Sequence, residues 1–243
     1  MTAMTDTVLA IDKSPQVWTY TLNRPDKRNA LSAELVEALI EGVDAAHAEQ
    51  IPLLVFRGAG KNFSAGFDFT GYEAQSEGDL LLRMVRIETL LQRVAGSPSL
   101  TLALAHGRNF GAGVDLVAAC KLRLCTPDAS FRMPGLKFGL VLGTRRFRNM
   151  VGADNALSIL GSARSFDAEE AARIGFVQGL AADTDWPAQV QQAADTATAL
   201  DAPTRASLYQ ALDTNAPDAD LAALVRSASR PGFKARIRQY LDG

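Results

Sequence analysis

Cysteine and histidine are scarce: the 243 residues contain two of each. Cys120 and Cys125 are too few for a disulfide framework and read as small buried residues of a reducing compartment. With only His47 and His106 beside them, no His/Cys metal cluster can form. Long hydrophobic runs are absent as well. No stretch approaches the roughly 20 apolar residues of a membrane span, and residues 1–7 lack the apolar core of a secretion signal. Nor is one charge in excess. The 25 Lys and Arg set against 27 Asp and Glu leave a net charge of −2, which gives no electrostatic footprint for nucleic acid or a membrane surface. Internal repeats and low-complexity linkers are also missing. A soluble cytoplasmic protein is the expectation.

What remains is an ordinary globular composition, 47% hydrophobic and 21% charged. The length suits one large domain, or a core with a small appendage. Residues 7–12 and 16–23 predict two strands with Ser14-Pro15 as their turn. Ser32 is a suitable N-cap for a helix to residue 49, with Leu35, Leu39, Val43 and Ala46 as its apolar stripe. A buried strand follows over 51–57, then a polar, mobile stretch over 71–79 and a helix over 80–94. Short strands are predicted at 122–126, 129–132 and 176–181, and helices at 143–161 and 167–174. From Trp186 the pattern is helical to the end, punctuated at Pro203, Pro217 and Pro231-Gly232. Repeated strand–strand–helix units followed by helices imply an α/β fold.

Two stretches look built for chemistry. In residues 100–125 an apolar run (100–105) meets a glycine turn, and Gly111-Ala112-Gly113 then opens a helical pattern. A helix start leaves N–H groups unpaired and carries partial positive charge, so it can hold a developing oxyanion. Residues 62–68, Asn-Phe-Ser-Ala-Gly-Phe-Asp, have the same character just after the apolar run 53–56. Two such donors converging on one carbonyl oxygen would form an oxyanion hole.

These residues resemble the enoyl-CoA hydratase/isomerase (crotonase) superfamily. Residues 23–31, Asn-Arg-Pro-Asp-Lys-Arg-Asn-Ala-Leu, are similar to its N-R-P-x-x-x-N-A-L. Residues 63–68 match F-x-A-G-x-D, and residues 107–115 match G-x-x-x-G-G-G-x-E with Ala112 for the middle glycine and Asp115 for the glutamate. Residues 165–177 resemble the later segment around A-x-x-x-G-L-V. The resemblance implies a spiral of ββα units over residues 1–185 and a helical region over 186–243 that packs a homotrimer or a dimer of trimers. It implies an acyl-CoA thioester as substrate, with coenzyme A entering as part of it and no separate cofactor. The N–H groups of Phe67 and Ala112 would hold the thioester oxygen. Lys27, Arg28 and the backbone at Ala30 would meet the phosphates and adenine. Ala65 and Asp68 would line the pantetheine path, with Phe233 and Lys234 closing over it.

Asp115 is the only carboxylate placed to act as acid or base in this framework. A charge stabilising a helix start is the alternative reading of it. It is one methylene shorter than the usual glutamate. The larger departure follows Pro134: the family usually has a second glutamate where this chain has Gly135. The naphthoate-synthase branch shares that lack and can hold bicarbonate there, which suggests an anion or water beside Gly135. Residues 139–146 are also about three residues shorter than the usual glycine-rich stretch. Hydration and isomerisation remain the first reading. Decarboxylation or thioester hydrolysis is a second, and an acyl-CoA-binding protein without catalysis a third. Two look-alikes fit less well. A dinucleotide fingerprint opening at Gly111 lacks its third glycine, because Leu116 stands there. A Ser64–His106–Asp115 triad lacks a nucleophile elbow, and His106 before a glycine turn is expected to be structural. His47 is expected on a solvent-facing side of its helix.

Overall fold

The computed structural model describes residues 7–243; the leading segment read above for a secretion signal lies, up to residue 6, outside them. Strands β1 (Leu9–Lys13) and β2 (Val17–Leu22) form an antiparallel hairpin. Helix α1 (Ala33–Ala48) starts on Ser32, whose hydroxyl accepts from the Leu35 N–H at 3.2 Å. Strand β3 (Leu53–Gly58) then pairs parallel to β2. Helix α2 (Glu77–Ala95) is followed by β4 (Leu100–Ala105), parallel to β3. Next come β5 (Arg108–Phe110), α3 (Ala112–Ala119), β6 (Leu122–Cys125) and β7 (Ser130–Arg132). Helices α4 (Thr144–Val151) and α5 (Ala153–Ser162) precede β8 (Ser165–Asp167), α6 (Ala168–Arg173) and β9 (Gly179–Leu180). The tail holds α7 (Trp186–Thr198), α8 (Ala202–Leu212), α9 (Pro217–Ala228) and α10 (Phe233–Asp242).

Two sheets result. One runs β1-β2-β3-β4-β6-β9, the other β5-β7-β8. After α2, successive units give one strand to each sheet, β4 then β5 and β6 then β7. Every residue of β4 is buried, as expected of a parallel strand covered on both faces. Leu54, Phe56, Ala103 and Ala105 face the main core. Leu53, Val55, Leu102 and Leu104 face the other way, against Ala193, Ala194 and Ala197 of α7. Alanines there let the helix lie close to the sheet. Leu224, Phe233 and Ile237 of the tail enter the main core, so residues 186–243 share both cores with the residues before them.

Several expectations need correction. The stretch 71–79 is ordered: Tyr72 is buried in a short 3-10 turn, and Ser76 and Asp79 form a reciprocal capping box that starts α2 at Glu77. The helix predicted over 143–161 is two, broken at Gly152, whose backbone (φ 79°, ψ 165°) is not helical. In the strand predicted over 176–181, only Gly179 and Leu180 pair with β6, while Phe176 and Val177 turn into the core. His47 is half-buried, with Nε2 2.7 Å from the Ser97 hydroxyl. The cysteines are both buried. Among the described residues, no helix is long and apolar enough to cross a membrane.

Rings of Phe131, Phe147, Phe166 and Phe176 pack together with centroids 5.1–5.9 Å apart. They tie β7, β8 and α4 to the segment entering β9. Phe176→Ala should lower unfolding stability by about 3–5 kcal/mol, measured by urea denaturation at fixed protein concentration. A loss under about 1 kcal/mol would mean that this ring cluster does not hold the second sheet in place.

Candidate active site

The two loops singled out in the sequence meet here. Segment 28–31 brackets segment 64–68 through backbone bonds: Ala65 N–H donates to Arg28 O at 2.8 Å, Leu31 N–H to Gly66 O at 2.7 Å and Asp68 N–H to Leu31 O at 3.3 Å. The Ser64 hydroxyl adds a bond to Asn29 O at 2.8 Å. Asn29 is fully buried with a left-handed backbone (φ 53°), and its amide donates to Ala59 O and Asn62 O at 2.8 Å each. The other side of the loop touches β5 and α3. A Cβ built on Gly66 would overlap Phe110 O and lie 3.1 Å from Ala112 N. One on Gly113 would lie 2.7 Å from Ser64 O. Glycine is required at both positions, and the Gly66 backbone (φ 77°) is also left-handed.

This packing leaves two donors free. Among the described residues, neither the Phe67 N–H nor the Ala112 N–H donates to a protein acceptor. Both residues line one cavity of about 260 Å³. Ala112 opens α3, so its N–H lies at the positive end of the helix. The cavity also takes in Arg28, Ala65, Asp115, Pro134 and Gly135. Seven residues singled out from the sequence therefore share one space.

The others do not line this cavity. Asp68 does not line the cavity. Its carboxylate accepts from Arg24 Nη1 at 2.8 Å and from Thr70 N–H at 2.9 Å. Burial pushes that carboxyl up, but the Thr70 and Arg24 bonds outweigh it and hold it below its usual range. Arg24 also donates to Ala30 O at 2.6 Å, so Asp68 and Ala30 belong to a clamp on the loop. Phe233 is buried behind the wall, its ring 6.4 Å from that of Phe138. The Lys234 ammonium is bound to the Glu73 and Gln75 carbonyls. It is Tyr240 and Leu241, at the other end of α10, that reach the cavity. Lys27 is exposed next to Arg28 and does not line the cavity.

Sequence reasoning missed most of the apolar wall, including Phe69, Met84, Phe138, Leu140, Leu142 and Tyr240. Their apolar identity looks like that of any core residue, and they come from loops and helices far apart in sequence. It also missed the Arg83 guanidinium, which stacks 4.1 Å from the Phe67 ring centroid and donates to Asp68 O at 2.8 Å. The Ser64–His106–Asp115 triad is ruled out. Ser64 is fully buried and committed to Asn29 O, while His106 Nε2 binds Gly60 O at 3.0 Å and its ring packs on Trp186.

Asp115 is 2% exposed, and its Oδ1 has no hydrogen-bond partner. Gly143, just before α4, is packed so closely that a Cβ there would overlap the Asp115 carboxyl. Burial pushes this carboxyl well above the ordinary carboxylate range; Arg146 pulls it down and Glu88 pushes it further up. Its surroundings thus favour the neutral form over the charged one. A carboxyl raised by folding stabilises the native state below its unfolded value, about 3.9. That contribution is lost as pH rises through the folded value. Wild type should accordingly lose stability relative to Asp115→Asn as pH climbs from about 4 to 8, followed by thermal melts of both proteins. A constant difference would show an ordinary, solvated carboxylate.

Known proteins bear on the same residues. The sequence profile described as enoyl-CoA hydratase/isomerase matches residues 12–226. A Mycobacterium tuberculosis protein named for enoyl-CoA hydratase is 32% identical over 196 residues, covering 78% of this chain and 79% of that one. An ethylmalonyl-CoA decarboxylase of Bos taurus is 30% identical over 170 residues, covering 68% of this chain and 56% of that one. A Bordetella parapertussis crystal structure named for enoyl-CoA hydratase/isomerase superposes with a TM-score of 0.96 at 76% identity, over 97% of this chain and 99% of that one. The interlocked loops, the two free N–H groups and these likenesses lead to one conclusion: the chain belongs to the enoyl-CoA hydratase/isomerase superfamily, with its crotonase-like α/β fold.

Proposed function

We propose that the cavity binds an acyl-CoA thioester, with its carbonyl oxygen on the N–H groups of Phe67 and Ala112. Enolate charge would develop on that oxygen, where one such donor is worth about 2.7–4 kcal/mol. Arg28 on the cavity wall, with exposed Lys27 beside it in sequence, would meet the phosphates, and the apolar wall would take the acyl group. One observation carries this reading: two unpaired N–H groups and a buried carboxyl with an unpartnered oxygen share a single apolar cavity.

Asp115 acts in it as the acid that protonates the enolate's α-carbon. In hydration, water adds to the β-carbon while Asp115 supplies the α-proton. The water's own proton has no second carboxylate to receive it, because Gly135 carries no side chain; a water or small anion beside Gly135 takes it instead. The same arrangement favours a second reading, decarboxylation. There the bond to a substrate carboxylate breaks, its electron pair forms the enolate, and only one proton need be delivered. A neutral Asp115 suits that step without any base.

Asp115→Asn should reduce turnover by about 10²–10⁴, with folding checked by circular dichroism. Gly135→Glu should raise crotonyl-CoA hydration, since a Cβ at that position meets nothing closer than Leu140 O at 3.3 Å and the backbone is not left-handed. Comparing crotonyl-CoA with a malonyl-type thioester separates the two readings. Full activity in a folded Asp115→Asn would make the carboxyl a structural charge. Binding of acyl-CoA with no turnover of any thioester would indicate a protein that only binds.

The assembly we infer is a homotrimer or a dimer of trimers, with contacts from the tail. Leu208 and Leu212 of α8 are 41% and 68% exposed and give that helix an uncovered apolar side. Light scattering should return three or six times the 26.0 kDa chain mass. A stable monomer would overturn the assembly.

A further inference from the structure

Asp115 shares its interior with two more ionisable groups. Glu88 on α2 is 1% exposed and Arg146 on α4 is 5% exposed. Arg146 Nη2 lies 3.5 Å from Glu88 Oε1, and its Nε donates to Asn215 Oδ1 at 3.3 Å. Its Nη1 has no partner, nor does Asp115 Oδ1. Gln92 Nε2 ties Glu88 Oε1 to Pro217 O at 3.0 Å each. Helix α4 joins the parts: Gly143 before its first residue touches Asp115, and Arg146 one turn later meets Glu88. The other charged group facing this cluster is Asp220 of α9, which pairs with Arg145 at 2.8 Å. Across the cavity, Arg28 and Tyr240 are the remaining titratable lining groups.

Charge counting limits the states available. With both carboxyls ionised, the interior holds a net charge of −1, which burial disfavours. With one proton retained, the cluster is neutral. Burial pushes the Glu88 carboxyl up as well, but Glu88 has the Gln92 hydrogen bond and the Arg146 ion pair to support its charge, whereas Asp115 Oδ1 has no partner, which favours the proton on Asp115. We propose that Glu88, acting through Arg146, is a positioning residue that keeps Asp115 in its carboxylic-acid form, by neutralising the guanidinium that would otherwise draw its proton off. This rests on the reading of Asp115 as proton donor, and it makes a helix outside the cavity wall's polar end responsible for the acid's readiness.

The side-chain carboxyl ¹³C resonance of Asp115, assigned by its loss in Asp115→Asn, reports protonation in the intact protein without any substrate. A failure here is thereby distinguishable from a failure of the acyl-CoA reading. Glu88→Gln leaves Arg146 uncompensated, so the Asp115 midpoint should fall by about one unit or more. Arg146→Met should move it in the opposite direction, and Arg146→Lys should return it close to wild type. The alkaline limb of any turnover should follow the same order. Loss of packing alone would not produce opposite shifts. If Arg146→Met does not fold, Glu88→Gln against Glu88→Asp decides, because the aspartate variant keeps the counter-charge and should keep the midpoint. An unmoved midpoint in Glu88→Gln, shifts of one sign in both variants, or a wild-type Asp115 titrating in the ordinary carboxylate range would each overturn the proposal.

Discussion

The site depends on the backbone interlock between residues 28–31 and 64–68. Bonds from Leu31 N–H to Gly66 O and from Asp68 N–H to Leu31 O satisfy the neighbours of Phe67 on both sides, while its own N–H stays unpaired. An unpaired N–H in a loop would ordinarily be lost to a rearrangement that satisfied it. Here the clamp of Arg24 on Asp68 and Ala30, and Asn29 tied to Ala59 and Asn62, remove that freedom. The motif near the N-terminus therefore serves the oxyanion loop from 35 or more residues away in sequence. Its arginine and asparagine build the donor geometry without touching the space a substrate would fill.

Close contact between backbones does the remaining positioning. Gly66, Gly113 and Gly143 each sit where a Cβ would strike a neighbouring loop or the Asp115 carboxyl. A low-dielectric surround strengthens hydrogen bonds to a developing charge. Burial also raises Asp115. On the proposed reading, one packing arrangement supplies both halves of the chemistry, a place for negative charge and a proton to quench it.

Much of this was legible in the sequence, for identifiable reasons. Strand β2 alternates, β3 and β4 are mostly apolar, and α1 has its N-cap serine and periodic stripe. Phe67 and Ala112, the proposed oxyanion donors, lie in glycine-marked turns that stand out in the sequence. Three-residue strands such as β5 and β8 are too short to show a period. The cavity wall hid because a residue lining a cavity and a residue filling a core have the same apolar identity. Nor could the sequence show that Lys234 and Asp68 each have partners within the protein, because those partners come from other segments. Nor could local pattern reveal Glu88 and Arg146, whose meeting requires α2 and α4, 58 positions apart, to cross at one point.

The two departures at the acid end are best understood together. By the resemblance read from the sequence, Asp115 is one methylene shorter than the usual glutamate, and residues 139–146 are shorter than the usual glycine-rich stretch. In the fold the two face each other, because Gly143 within that stretch lies against the Asp115 carboxyl. A longer acid would occupy the volume where Gly143 already lies, and a longer loop would leave a gap over the shorter one. Since buried space is filled to near crystal density, a change at one position constrains the other. The close approach of Gly143 also sets the start of α4, which carries Arg146 to Glu88 one turn later. On the proposed reading, a glycine at position 135 and a proton on Asp115 describe one site that works with a single acid, held ready from behind.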